Sequence, residues 1–589
     1  MKCSFSVREV SRSSILDNLG SAPRGERMYK LEISLKRVQT YIFDVPRLKT
    51  MLGANAQVGQ VMRHELAGML NGRGKQMTWS FSQGESLPDD PLTGSTDPDD
   101  PKDAYEKGIL ARDGGHFIVV FETKENAEKF QAEAEARLAE KLPGVLYEIT
   151  IKRWPETPVN GQAETGEDQT NDRAVVAQEI HLADLPVLQV CQETGREPAS
   201  EQEEQEISEK NNQLQKQRLP WQARSVTQRK ECGKQFYEGN TLDIIGLMGE
   251  ALHPTTKTVG YKWQNPRDLQ DLTAGGYLAL IHADGNGIGM RYKRWRDGGK
   301  LLKAYEQEAR GEAFYHGMRV VVRRAVVDAL NETFHDLQDN ACRPYQVLML
   351  GGDDLLLACR ADFALPFAEC YAKELERHKL VDGRPLHVAI GVAIAQESYP
   401  LHRLYELAEN LASSAKRLYR ALKEEDRKSV IDWQVVTTSW FEGVAEARRQ
   451  AELVEYVTGS STENGSSTEK LVLTNRPVTA GNESQLSMIL KNARDLDEPK
   501  LDAARSPLRA LRAACERGRL SGEMAFARLP EEVRKLVGVP VDSGNAEADN
   551  KKPSYTLWKN EGSFHLTSAL DIIGVREISL LGKKKRESK

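Results

Sequence analysis

Long apolar runs are missing from this sequence. No window approaches the ~18 consecutive apolar residues that a bilayer-spanning helix needs, so no membrane partner is expected. Cysteine is scarce. The seven, Cys3, Cys191, Cys232, Cys342, Cys359, Cys370 and Cys515, have no paired spacing. That argues against a disulfide framework and predicts a reduced, cytoplasmic protein. The opening MKCSFSVREVSRSS has neither an apolar core nor a cleavage-site pattern, so export is not expected. An excess of one charge is also absent: 81 Lys and Arg stand against 87 Asp and Glu, a formal net charge of -6. This argues against a bulk nucleic-acid coat and leaves local basic strips open. What remains is a soluble globular balance, 39% hydrophobic and 29% charged, in 589 residues, too many for one core.

Four breaks divide the chain. Residues 83–105 are acidic and rich in Pro and Gly and read as a long loop. Residues 155–175 are polar and unpatterned, and 196–218 are so charged that they read as a solvated helix or a disordered stretch. Residues 458–468 are low-complexity linker, and the basic cluster at 583–586 reads as a solvated tail. The resulting units are 1–154, 155–270, 271–436 and 437–589.

Two of these units repeat one order of elements. In the later one, 277–283 is a continuous apolar strand, 299–337 is helical, and 345–360 reads as two strands joined by a Gly-Gly turn. A helix N-capped by Asp362 and a strand over 386–394 complete β-α-β-β-α-β, the ferredoxin-like or palm arrangement. A helix over 401–423, with Leu404, Leu407, Ala408, Leu411, Ala415 and Leu418 on one face, and a strand over 429–436 follow. The earlier unit repeats the pattern: strand 29–35, helix 53–70, strand 114–121, helix 125–142, strand 144–154. In both, the second helix is expected eleven residues past the first glycine of the turn, Gly114 to Glu125 and Gly351 to Asp362, which reads as an internal duplication. The predicted fold class is therefore α+β: two ferredoxin-like (palm or nucleotide-cyclase-like) domains with a helical insertion and a helical C-terminal domain.

The copies differ where chemistry would occur. The later turn is Gly351-Gly352-Asp353-Asp354 and the earlier one Gly114-Gly115-His116-Phe117, without carboxylates. Asp284 is placed just past the first strand of the later unit, beside that turn in a β-α-β-β fold. Three converging carboxylates suit a hard divalent ion, Mg²⁺ or Mn²⁺, with substrate phosphates and water completing its shell. Two such ions ~3.5–4 Å apart stabilise both oxygens of an in-line phosphoryl displacement. Gly351 and Gly352 permit positive φ, and Asp284-Gly285-Asn286-Gly287-Ile288-Gly289 makes a small-residue loop opening toward a helix, a seat for a triphosphate. Lys416 lies beside the apolar stripe of 401–423, where it is either a phosphate contact or a solvated lysine; Arg417 and Arg420 read as solvent-facing. A lysine plugging the gap between the carboxylates would argue against an active centre. Two weaker patterns carry less. Cys191-Gln-Glu-Thr194 with Cys232 outlines a metal knuckle with only two cysteines, read as a degenerate turn. His335-Asp336 reads as a surface pair in the helical stretch.

The segments ALIHADGNGIG (279–289) and LMLGGDDLLLACR (348–360), with Ala415-Lys416-Arg417, resemble the catalytic palm of the large polymerase/cyclase subunit of type III CRISPR effector complexes. KRVQTYIFDVPRLKTMLGANAQVG (36–59) is similar to the opening of that family's first palm, and CQETGREPA (191–199) to its knuckle. The resemblance covers roughly 29–436 and is most specific over 277–436. It implies joining of ATP into cyclic oligoadenylates, with the metal ions on Asp284, Asp353 and Asp354 and the nucleotide against Gly285, Asn286, Gly287, Gly289, Gly351, Gly352 and Lys416. It also implies CRISPR RNA and other effector-complex subunits as partners. Where the family's first-strand motif often has a second acid, this chain has Asn286, and with the first palm starting near residue 29 an HD nuclease domain is not expected. The helices over 440–457 and 506–537 have Arg-rich outer faces, read as a packed bundle with docking to RNA or small subunits as the other option. Three other readings stay open: a GGDEF-like cyclic dinucleotide synthase, a template-dependent polymerase and a non-catalytic ribonucleoprotein scaffold. Against the polymerase stands Gly289, where a second acid would be needed.

Overall fold

The computed structural model describes residues 28–79, 81, 87–92, 99–154, 175–176, 189–195, 197–200, 204–210, 213–218, 220–239, 243–249, 251–252, 264–273, 276–299, 302, 304–335, 342–436, 444–458, 467–498, 501, 505–541, 554–562 and 564–581. The expectations for 155–174 and 583–586, and for most of 458–468, lie outside these residues.

In the first unit, β1 (Met28–Lys36), β2 (Ile109–Ala111), β3 (His116–Phe121) and β4 (Leu146–Trp154) pair in the order β2-β3-β1-β4, with Val175–Val176 at the edge. β1 is antiparallel to both neighbours, the ferredoxin-like order. Helix α1 (Leu48–Gln60) runs into a π-helical turn, Val61–Glu65. Helix α2 (Lys124–Lys141) starts where the Thr123 side chain accepts from the Asn126 N–H, and it buries Ala127, Phe130, Ala134 and Leu138 at helical spacing. Helix α3 (Arg224–Tyr237) packs on α1.

The second unit has β5 (Tyr277–Gly285), α4 (Ile288–Asp297), α5 (Ala304–Thr333), β6 (Tyr345–Gly351), β7 (Asp354–Arg360), α6 (Ala361–Arg377), β8 (Val388–Gln396), α7 (Leu401–Ala421) and β9 (Ser429–Val435). The C-terminal region adds β10 (Val478–Ala480), giving the order β10-β9-β8-β5-β7-β6. β5 reads as a continuous apolar run because both faces are covered. Ala279, Ile281 and Ala283 join one core with Phe314 of α5 and Phe367 of α6. Leu278 and Leu280 join another with Leu404, Leu407 and Leu411 of α7 and with Leu31 and Ile33 of the first unit. Burying each such Leu or Ile contributes ~1.5–3 kcal/mol, so the second core also holds the two units together. Phe43 stacks on Tyr405 across this junction, ring centroids 4.7 Å apart.

Several boundaries differ from the sequence reading. The expected 299–337 helix is shorter, Ala304–Thr333, with a separate helix, Ile288–Asp297, before it across Gly298-Gly299, and His335 lies past the end of α5. Arg360, not Asp362, occupies the N-cap of α6, and Asp362 instead accepts two hydrogen bonds from the Arg360 guanidinium, 2.7 and 2.8 Å. Within the expected 83–105 loop, Pro101–Glu106 is helical, because Asp100 caps it and proline suits a first turn. Within 196–218, Glu204–Lys210 and Gln213–Arg218 pair as a hairpin, neither helix nor disorder. The expected 440–457 helix stops at Glu452, since Leu453-Val454-Glu455-Tyr456-Val457 favours a pleated strand and pairs with Ser467–Val472. That strand belongs to a four-stranded sheet beside the C-terminal helices, and 506–537 divides into Arg505–Glu516, Arg519–Ala527 and Glu531–Val537.

Candidate active site

The three predicted carboxylates come from two neighbouring strands. Leu355 of β7 opposes Ala283 of β5, so the next step outward along the ladder brings Asp354 beside Asp284. Both project to the α7 face, because alternate residues share a face. Asp353 sits in the turn, which closes at Gly352 with φ 58°. Gly351 ends β6 without a positive φ, so only one of the two glycines is needed for its backbone conformation. At Gly285 the reason for glycine is space: a Cβ there would lie 2.5 Å from Asp353 Oδ2. The loop turns at Gly287, φ 71°, and leads into α4, so the small-residue segment does open onto a helix, with Gly287 and Gly289 exposed. Asn286 is buried, its backbone N–H donating to His387 O at 2.8 Å.

The electrostatics follow from crowding negative charge at the edge of a buried sheet. Burial first, then the charges of Asp284 and Asp353, push the Asp354 carboxyl up to about 7. Burial and Asp284 also raise Asp353. Lys416, on α7, forms an ion pair with Asp284 and opposes both shifts. It is therefore not a solvated lysine: its ammonium is held at the carboxylate corner. It answers one carboxylate of three: no ion pair within 4.0 Å reaches Asp353 or Asp354 among the described residues. Arg417 and Arg420 are exposed.

An all-oxygen donor set with uncompensated negative charge fits Mg²⁺ or Mn²⁺. The three carboxylates do not bring one oxygen each within 4.8 Å of one another; among the described residues the group whose ligand atoms do so is Glu332, Cys370 and Glu374, between α5 and α6. Cys191 is buried in a small apolar cluster with Val45, Ala223 and Val226, and Cys232 is half-buried on α3.

Sequence reasoning missed the opposite wall. A cleft of about 510 Å³ between the two units is lined by Gly351 and Asp354 on one side and by Arg37, Arg112, Gly114 and Gly115 on the other. Gly114 and Gly115 both have positive φ, 62° and 80°, so the first turn keeps the bend without the carboxylates. The duplication was the available signal: the turn sits at the equivalent corner of each repeated unit, and both Gly-Gly turns line one cleft. Arg37 holds a left-handed conformation, φ 53°, at this wall, an unusual backbone for a non-glycine residue.

No protein-family model matches the chain, and no curated protein does. Solved structures do. A Csm1–Csm4 cassette in complex with pppApApA has a TM-score of 0.46 and 11% identity, covering 95% of this chain and 70% of that one. A Csm1–Csm4 cassette in complex with cA4 has a TM-score of 0.34 and 11% identity, covering 67% and 53%. Csm1 in T. onnurineus has a TM-score of 0.35 and 12% identity, covering 67% and 52%. Over most such matches the chain spans about half the length of the matched chain. No helix among the described residues is long and apolar enough to cross a membrane.

Proposed function

We propose that this chain is a nucleotidyltransferase that joins ATP into cyclic oligoadenylates, within an antiviral defence system of the CRISPR type. The observation that carries the reading is the Gly-Gly-Asp-Asp turn beside Asp284, set in the wall of the cleft between two palm-like units. In each step a 3′-hydroxyl oxygen gives up its proton to water and bonds to an α-phosphorus, the bond from that phosphorus to the β-phosphate oxygen breaks, and pyrophosphate leaves. Mg²⁺ or Mn²⁺ bound by Asp284, Asp353 and Asp354 would stabilise the attacking and leaving oxygens. The chain's own residues supply the rest. Gly351 and Gly352 let phosphates approach the backbone, the loop from Gly285 through Asn286 and Gly287 to Gly289 seats the triphosphate at α4, and Lys416 offers a point charge for its outer phosphates. Adenine as the base and ring closure as the last step rest on the resemblance of 279–289 and 348–360. On the same reading the partners besides ATP are CRISPR RNA and other effector-complex subunits.

The test is to incubate the protein, with the trigger of its complex where one is needed, with Mn²⁺ and each of the four nucleotides, and to separate the products chromatographically. Cyclic oligoadenylate is expected from ATP alone. The double change Asp353→Ala, Asp354→Ala should abolish it while the circular-dichroism spectrum stays unchanged. Full turnover by the double variant would refute the assignment; a cyclic dinucleotide from GTP would move it to the GGDEF-like enzymes.

A further inference from the structure

Beneath the cleft lies a buried ionic cluster that the site above does not use. Arg319 and Arg323 project from α5 and are only 9% and 2% exposed. Asp99 accepts from both, from Arg319 Nε at 2.7 Å and Arg323 Nη1 at 3.1 Å, and Arg63 Nη1 of the first unit is 3.8 Å from it. Arg323 also donates twice to Asp90, at 3.0 and 2.7 Å. Despite its burial, the three arginines hold the Asp99 carboxyl well below the usual carboxylate range. So many buried charges are expensive to desolvate, and such clusters fix geometry better than they add stability.

One branch of the cluster leads to the cleft. Arg319 Nε is 3.5 Å from Asp113 Oδ2, across the junction between the units. The other oxygen of that carboxylate, Oδ1, accepts from the Gly114 N–H at 2.8 Å, and Asp113 O accepts from the His116 N–H at 3.0 Å. Asp113 therefore pins the first Gly-Gly turn from within. Arg319 and Arg323 meanwhile line one small cavity with Gly351 and Gly352 of the second turn, and a Cβ at Gly352 would lie 3.9 Å from Cε of Met318 on the same helix. One helix of the second unit thus borders both turns.

We propose that Arg319 and Asp113 are positioning residues: the chain Arg319–Asp113–Gly114 sets the first Gly-Gly turn at the distance from the Asp353-Asp354 turn that nucleotide joining requires. This deepens the proposed function and rests on it. Neither residue touches the reacting atoms. Their role is to hold the wall against which the second nucleotide is oriented, and orientation is reflected in kcat more than in KM.

The experiment compares Arg319→Gln, Asp113→Asn and Asp90→Asn in the full chain. Asp90→Asn disturbs the same cluster away from the turn. Hydrogen exchange by mass spectrometry is read on the peptide covering 113–117, and ATP turnover with Mn²⁺ is read alongside. Arg319→Gln, a change in a distant stretch of sequence, should speed exchange at Gly114 and Gly115 at least 5-fold; Asp113→Asn should do so too, and Asp90→Asn should not. The first two should lower kcat at least 10-fold with KM for ATP changed less than 3-fold. Unchanged exchange at 113–117 in both Arg319→Gln and Asp113→Asn, or an equal effect from Asp90→Asn, overturns the proposal. A wild-type chain that makes no oligonucleotide under any trigger would instead overturn the proposed function, and the exchange data would still decide whether the relay exists.

Discussion

The crowding at the Gly-Gly-Asp-Asp turn has a consequence that needs no substrate to test. Asp354 titrates at 3.8 in an unconstrained chain and at about 7 in the fold. Below about pH 4 both states hold the proton. Between about 4 and 7 the folded chain keeps a proton that the unfolded chain has released, so stability falls as pH rises through this window. Above about 7 the loss is complete. An interval of about three pH units corresponds to ~4 kcal/mol, and because Asp354 is partly exposed, solvent screening leaves ~2–4 kcal/mol. Asp354→Asn keeps the shape and removes the charge. In the presence of EDTA it should raise the melting temperature at pH 8 by roughly 4–8 °C and leave it unchanged near pH 4. Melting curves of both proteins from pH 4 to 8 suffice. An equal gain at both ends, or a loss at pH 8, would refute the argument that repulsion and burial dominate at this corner. Adding Mn²⁺ should reverse the order, because the cation stabilises only the ionised wild type.

Two further outcomes follow from the packing. Lys416→Met removes the cation paired with Asp284; Mn²⁺ should then stabilise the protein at roughly 3- to 10-fold lower concentration by thermal-shift titration, while KM for ATP rises, and weaker Mn²⁺ binding would contradict this. A Cβ at Gly391 of β8 would lie 2.0 Å from Ala408 O and 2.5 Å from Ala412 N, so Gly391→Ala must push α7 off the sheet. It should cost ~3 kcal/mol or more and displace Lys416, whereas Gly574→Ala, with nothing within 4 Å, should be neutral or stabilising in the same melting assay.

Much of this was legible in residues alone. Both ferredoxin-like orders were readable, because strand alternation, apolar runs and glycine turns are local signals. So was the placing of Asp284 beside Asp354 at the end of the turn: in β-α-β-β-α-β the first strand must lie beside the third, and that places the strand end at the turn. Boundaries were weaker where local preference and tertiary pairing disagreed. The stretch after Glu452 carried strand formers in Val454, Tyr456 and Val457, but the helical pattern leading into it hid the boundary that pairing with 467–472 sets. Lys416 could be placed on its helix but not oriented, because its direction depends on how far α7 presses against β8 at Gly391.

The amino-acid order by itself determined two copies of one fold, which copy carries acids at its turn, and which strand end faces that turn. Only the tertiary structure decided that the acid-free turn faces the acidic one across a shared cleft, that Lys416 answers Asp284, and that Arg319 reaches Asp113 in the other unit. The physical reason is range. Periodicity and turn chemistry act over a few neighbouring residues, whereas the meeting of Arg319 with Asp113 arises from the apolar faces that dock two units together and leaves no mark in the residues on either side.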